Sequence, residues 1–292
     1  MHTMETILDY QIQTAIERLK GSNFQSFIEH LFLMMCGDRF VCVKNKHDAG
    51  CDGIIDGEKI ISVYAPENHD LRLFRIKVES DYNKYLNNWR IRYPKWMMVY
   101  NGEFTAKKLE FIDALDKTAE KWDIKQIVYQ INQMPWSKIR KISLFLGIDE
   151  IFFINDLIKT VIDDLLKIMD VNFTKDELTE ERPPYILNKI KLNYVDEDIQ
   201  GALTEYEETI PFRNRLKSVL NSYSDSEISK LKVYIIQHYN ILGGDFKTRL
   251  NHLTDILSER NKNDDEYKNY VRVILIYCFE ICLIGEVPGK KS

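Results

Sequence analysis

Strand-like hydrophobic patterning stops near Pro135, and this change of grammar restricts the chain to an α/β part followed by a helical part. Before it, Ser22-Asn23-Phe24-Gln25 has the form of a capping box, followed by Phe27, Ile28, Leu31, Phe32 and Met35 at helical spacing. Gly37-Asp38 ends that helix. Strands are predicted at Arg39–Lys44, Gly53–Asp56 and Lys59–Tyr64, the last two joined by the two-residue hairpin signal Asp56-Gly57. Leu73–Trp89 is predicted helical, Lys95–Tyr100 a buried strand, Thr105–Lys121 a helix and Lys125–Tyr129 a further strand. Together these make a mixed sheet flanked by helices.

Beyond Pro135 the segments Trp136–Leu146, Asp156–Met169, Ile186–Lys191, Asp198–Tyr206, Ile210–Leu220, Ser226–Tyr239, Phe246–Ser258 and Asp265–Ile284 all read as helices. The charged stretch Val171–Pro184, closed by Pro183-Pro184, reads as a linker. The expected division is an α/β domain over 1–134, connecting helices over 135–170, a linker over 171–185 and a helical interaction domain over 186–292.

Composition narrows the class. A chain that is 45% hydrophobic and 12% aromatic can bury a core, which excludes general disorder. Glu5 and Asp9 break the basic-then-apolar order of a signal peptide, and no apolar run reaches membrane length, so the expected location is the cytoplasm, away from the membrane. Five cysteines without a Cys-x-x-Cys pair encode neither a disulfide framework nor a zinc knuckle; Cys278 and Cys282 read as core residues. A net charge of −5 opposes nonspecific coating of nucleic acid but leaves room for a local basic patch.

One constellation carries chemistry. Restriction-type nucleases hold a divalent metal with hard oxygen ligands beside a cation that stabilises the attacked phosphate. One strand begins with an Asp; the next carries Glu or Gln, a spacer and then Lys; a helix often adds a Glu. Here the helix supplies Glu29, and Asp48-Ala49-Gly50-Cys51-Asp52-Gly53 places Asp52 at a strand start after a glycine that permits close approach. The hairpin returns as Ile60-Ile61-Ser62-Val63-Tyr64-Ala65-Pro66-Glu67. Ser62 and Tyr64 stand where Glu/Gln and Lys are wanted; a hydroxyl is a poor Mg²⁺ ligand, and tyrosine carries no positive charge at neutral pH.

Glu29, the Gly50-Cys51-Asp52-Gly53 turn and the Val63-Tyr64-Ala65-Pro66-Glu67 strand resemble a branch of the restriction-endonuclease-like superfamily near the Mrr-type nucleases, found in bacterial defence proteins. That branch commonly reads Gln-x-Tyr-Ala-Pro-Glu, so Tyr64 is a feature of the branch and Ser62 a departure of this chain. Lys189-Ile190-Lys191-Leu192-Asn193 and the closing Val273–Cys282 resemble the helical C-terminal domains of ABC-three-component antiphage systems, which include Lamassu-like defences. The resemblance implies a restriction-endonuclease-like α/β domain followed by an all-α domain. It also implies an effector subunit that works with an ABC or SMC-like ATPase and a small third subunit.

The resulting expectation is a subunit that binds duplex DNA and cleaves it with Mg²⁺ or Mn²⁺, with Glu29 and Asp52 as catalytic metal ligands, Glu67 as a further ligand and Lys77 as the displaced cation, Arg75 being the fallback. The alternative is a catalytically inactive nuclease-fold scaffold or DNA-sensing adaptor of the same complex. Each residue also has a plainer role: Glu29 as an exposed helix glutamate, Asp52 as a turn cap, Lys77 as a solvated lysine. His30, His47 and His69 fit no zinc spacing and read as surface or turn residues. Arg72, Arg75, Lys77, Arg90, Arg92 and Lys95, interleaved with Trp89, Tyr93 and Trp96, form either a phosphate-facing ridge or a solvated face over core aromatics. Lys138, Arg140 and Lys141 read as an exposed face. Gly243-Gly244-Asp245 reads as a helix break, without the Gly-Lys-Ser/Thr of a phosphate loop, so no nucleotide site of its own is expected.

Overall fold

The computed structural model describes residues 6–43, 50–168 and 185–289. The chain divides into two compact units, Met1–Phe152 and Phe153–Ser292.

The first unit opens with α1 (Ile7–Arg18), whose N-cap Thr6 and Asp9 exchange side-chain bonds as a capping box. Helix α2 (Gly21–Cys36) starts one residue before Ser22 and has no side-chain cap, so the box expected at Ser22–Gln25 does not form. Gln25 lies a full turn inside the helix and spends its amide on Asp52. Gly37 ends α2 at a φ of 59°. Then follow β1 (Phe40–Cys42), β2 (Gly53–Ile55), β3 (Lys59–Tyr64), α3 (Leu71–Asn88), β4 (Lys95–Tyr100), α4 (Ala106–Leu115), β5 (Glu120–Trp122), α5 (Ile124–Asn132) and α6 (Trp136–Phe145).

The five strands form one mixed sheet in the order β1-β2-β3-β4-β5; β2 is antiparallel to β1 and β3, while β4 is parallel to β3 and β5. The β2–β3 hairpin turns at Asp56 and Gly57, both at positive φ (54° and 64°) as Asp-Gly favours, with Ile55 paired to Lys59 across a loop one residue longer than the two-residue hairpin expected. The last strand is β5; the strand expected at Lys125–Tyr129 is a helix. Asp123 caps that helix by accepting from the Gln126 amide, and Ile124, Ile127, Val128 and Ile131 bury one face at helical spacing. Helix α6 extends the first unit past the end expected at 134: Lys138 donates to the Met34 carbonyl at 2.6 Å, near the end of α2.

Alternation along β3 decides which side chains can meet. Ile60, Tyr64 and, from β4, Trp96, Met98 and Tyr100 join Phe74, Val78, Tyr82 and Tyr85 of α3 and Ile112 of α4 in one apolar cluster. Ser62 belongs to that face, since its hydroxyl receives the Trp96 indole N–H at 2.9 Å. Ile61 and Val63 point the other way, toward Ile28 and Glu29 of α2. Helices α2 and α3 therefore cover opposite faces of the sheet.

Among the described residues the second unit is entirely helical: most of α7 (Glu150–Ile168), then α8 (Ile186–Asn193), α9 (Ile199–Leu220), α10 (Asp225–Ile241), α11 (Phe246–Leu257) and α12 (Asp265–Glu280). The linker expected at 171–185 lies, apart from Tyr185, outside the described residues. The two helices expected at Asp198–Tyr206 and Ile210–Leu220 are one, with Pro211 inside it. An interior proline costs about 3 kcal/mol. Ion pairs hold α9 to α12 on both sides of it, Glu205 to Arg272 at 2.6 Å and Arg213 to Glu280 at 2.9 Å. Helix α12 is buried almost all round, from Tyr267 to Phe279, as befits a central helix. Cys278 is buried in it, whereas Cys282 lies beyond its end, half-buried at φ 65°, and not in the helical core expected for it. No helix among the described residues is long and apolar enough to cross a membrane.

Candidate functional site

Glu29 and Asp52 come together. With Gln25, Ile28, Phe40, Gly53, Ile61 and Val63 they line one recess between α2 and the β2–β3 hairpin. Asp52 sits just before β2, where its backbone N–H donates to the Ile61 carbonyl at 2.8 Å. Its side chain turns toward α2: Oδ1 receives the Gln25 amide at 2.9 Å and Oδ2 the Val63 backbone N–H at 2.6 Å. Gln25 and Glu29 are four apart in α2 and so share a face. That spacing was the available signal for Gln25, which sequence reasoning had assigned to a cap.

The two positions of β3 facing this recess are Ile61 and Val63. Ser62 is fully buried on the other face, where its hydroxyl donates to the Gly50 carbonyl at 2.8 Å while accepting from Trp96. Gly50 reaches it at φ 79°, and a Cβ there would stand 2.9 Å from the Asp81 carbonyl, so the close approach requires glycine. Tyr64 packs on Phe74 and Tyr100, and burial raises its phenol pKa. Ser62 and Tyr64 are thus parts of the α3-side core.

Lys77 lies on α3. Its ammonium is 2.7 Å from Asp81, a carboxylate 2% exposed that Lys84 also approaches at 3.9 Å. Lys77 does not line the Glu29–Asp52 recess, and its helix covers the opposite face of the sheet. Lys77, expected as the displaced cation, is thus paired with Asp81 on the α3 side of the sheet and is not brought beside Glu29 and Asp52. Arg75, the fallback, is on the same helix with its guanidinium over the Phe111 ring. Glu67 is exposed, beyond the end of β3, and does not line the recess either.

Mg²⁺, implied by the resemblance, needs several oxygen ligands in near-octahedral array. The recess offers Glu29 and an Asp52 already holding two donors, under Ile61 and Val63. Among the described residues no three His, Cys, Asp or Glu side chains gather as a metal group, and the recess leaves no space for a water molecule. The residues described do not fit the ion. Asp48 and His47 lie outside the described residues.

Of the expected basic ridge, Arg72, Arg75, Arg90, Arg92 and Lys95 are exposed and Lys77 is half-buried. Lys95 pairs with Glu58 at 2.5 Å, Arg92 lies over the Tyr93 ring, and Trp96 and Tyr93 are core. Lys138 and Arg140, read as exposed, are tied down, the latter to Glu150. His30 stacks on Phe145. Gly244, at φ 105°, precedes Asp245, which caps α11, so that segment is the helix break expected.

Sequence reasoning missed a second cluster at the carboxyl ends of β3 and β4. The buried Lys108 ammonium donates to the Tyr100 hydroxyl at 2.9 Å, Tyr100 meets His69 Nδ1 at 2.7 Å, and His69 Nε2 lies 3.5 Å from Lys20 Nζ. Burial pushes the Tyr100 phenol up to about 12 and lowers Lys108; burial, then Lys20 and Lys108, lower His69. Lys108 was legible as a lysine four before Ile112, on the apolar side of its helix.

In the second unit Lys189 and Asn193 of α8 hold the chain at and beyond the end of α12. Lys189, fully buried, donates to the Phe279 carbonyl at 2.5 Å, and Asn193 exchanges bonds with the Glu286 backbone at 2.7 and 2.9 Å. No protein-family model, curated protein or solved structure matches the chain.

Proposed function

We propose that the first unit is a restriction-endonuclease-type domain that has given up metal chemistry and serves as a duplex-DNA-sensing adaptor in a bacterial antiphage complex. The order helix, three antiparallel strands, helix and parallel strand supports the ancestry. The single observation carrying the loss of catalysis is the state of Asp52, whose two oxygens accept from the Gln25 amide and the Val63 backbone N–H in a recess also lined by Ile61 and Val63. Asp52, kept where a metal ligand would stand, then acts as a strut. The helical unit docks the adaptor onto an ABC or SMC-like ATPase and a small third subunit, and works in the cytoplasm. The clasp between Lys189–Asn193 and the end of α12 supports a single docking body there.

The second reading, a Mg²⁺-dependent endodeoxyribonuclease using Glu29 and Asp52, is favoured by their shared recess. Plasmid DNA incubated with Mg²⁺ or Mn²⁺, with and without the operon partners, separates the two. The adaptor retains duplex DNA in a low-salt gel shift and leaves plasmid intact. Cutting by the wild type that Asp52→Ala abolishes would establish the nuclease and overturn the adaptor.

A further inference from the structure

Helix α3 runs into a turn that holds an apolar side chain out in solvent between two arginines. Ile91 is 103% exposed, the most of any large apolar side chain among the described residues, and Arg90 and Arg92 beside it are exposed as well. A single exposed isoleucine is ordinary. This one is set apart by the turn that carries it and by the charge around it.

The turn is fixed from beneath. Arg90 N–H donates to the Tyr85 carbonyl at 3.0 Å, and the Arg92 and Tyr93 N–H groups donate to the Trp89 carbonyl at 2.9 and 2.8 Å. Tyr93 is buried, its ring packs on Trp89, and its carbonyl receives the Tyr85 hydroxyl at 3.1 Å. Beyond Pro94, Lys95 opens β4 and donates its backbone N–H to the Glu58 carbonyl at 3.2 Å. A tip anchored on both sides is already ordered, so binding through it costs less than ordering a loose loop.

Charge selects the partner. Between Arg72 and Lys95 the chain carries seven lysines and arginines against Glu79 and Asp81, within a protein of net charge −5. Asp81 is 2% exposed and held by Lys77, which leaves Glu79 as the segment's exposed acid. A basic surface on an acidic protein is complementary to a polyanion. The minor groove of duplex DNA, about 6 Å wide with phosphates along both walls, excludes a helix but admits one apolar side chain. An anionic membrane also attracts such a tip, but one isoleucine buries far less than the myristoyl chain that alone holds proteins there only marginally.

We infer that the Arg90-Ile91-Arg92 turn is the DNA-contacting tip of the first unit: the two guanidinium groups take phosphates on either side of the minor groove, and Ile91 enters it between them. This rests on the DNA-sensing reading and locates its contact surface. The arginines supply affinity that depends on salt and not on sequence, and Ile91 supplies an uncharged part.

The test is binding of a short labelled duplex by the full chain in EDTA across a salt series, with phosphatidylserine vesicles as a parallel probe. Arg90→Gln combined with Arg92→Gln is expected to weaken duplex binding roughly tenfold or more and to make the slope of log K against log salt shallower by about 2. Ile91→Ala removes no charge; it is expected to weaken binding severalfold with the slope unchanged. All three side chains are exposed, so thermal midpoints should stay at the wild-type value and lost binding cannot be assigned to unfolding. Distamycin, which fills the minor groove, is expected to displace the wild type. Duplex binding that both variants and distamycin leave unchanged overturns the tip while DNA sensing stands. A wild type that binds no duplex overturns the DNA-sensing reading and the tip with it. Vesicle binding without duplex binding, lost in Ile91→Ala, does the same and assigns the turn to a membrane surface.

Discussion

Gln25 Nε2 donates to Asp52 Oδ1 over 2.9 Å, joining the second turn of α2 to the residue that opens β2. With the 2.6 Å bond from Val63 N–H to the other oxygen, Asp52 ties α2, β2 and β3 together. A carboxylate so placed stabilises the hairpin against the helix, a structural role in the position where a nuclease would hold its metal. Asp52→Ala removes both acceptors from a half-buried place. Hydrogen bonds to a charged group are worth about 1.5–3 kcal/mol each and least where solvent reaches them, so the expected loss at this half-exposed carboxylate is about 2–3 kcal/mol in urea unfolding. Asp52→Asn keeps one acceptor and should lose less. A neutral Asp52→Ala would remove the strut from the account.

Placing a nuclease-type Gln and Lys at 62 and 64 is expected to fail. Ser62→Gln with Tyr64→Lys puts both new side chains into the α3-side core, one between Trp96 and Gly50 and the other between Phe74 and Tyr100. Overpacking and loss of the Trp96 bond should cost about 3 kcal/mol or more, with no DNA cleavage gained. The paired readout is thermal unfolding and plasmid integrity. A stable, cutting double variant would mean that Ser62 and Tyr64 face the acidic recess after all.

This misplacement shows how far the sequence could be followed. The Asp-Gly hairpin, the buried strand Lys95–Tyr100 and the helical second half are local patterns, and local rules read them. Alternation also told that positions 62 and 64 share a face. It could not tell which helix covers that face, because Asp52 lies just outside the β2 ladder and turns its side chain toward α2 independently of the strand's alternation. Glu120–Trp122 is too short a strand to announce itself, and Ile124–Ile131 has enough β-branched residues to imitate one. Pro211 suggested a break that the Arg272 and Arg213 ion pairs override.

Acid sensitivity should trace in part to His69. Burial first, then the Lys20 and Lys108 ammonium groups, hold its pKa below the ordinary 6.5, with Glu17 opposing. The unfolded chain therefore takes up this proton at a higher pH than the folded one. Stability from the neutral ring is complete above about 6.5 and is lost as pH falls through that value toward the folded pKa. Urea midpoints between neutral and mildly acidic pH should fall in the wild type and fall less steeply in His69→Gln. Parallel slopes in the two proteins would contradict the placement of His69 beside two cations.

If Asp52 is a strut and not a metal ligand, Mg²⁺ leaves the melting of the protein unchanged. An ion bound only by the folded state must raise Tm. Wild type and Asp52→Ala are compared in excess Mg²⁺ and in EDTA. Asp52→Ala is expected to melt lower than wild type in both buffers, and each protein to have the same Tm in Mg²⁺ as in EDTA. A wild-type Tm that rises by several degrees in Mg²⁺, with the rise abolished by Asp52→Ala, would contradict it.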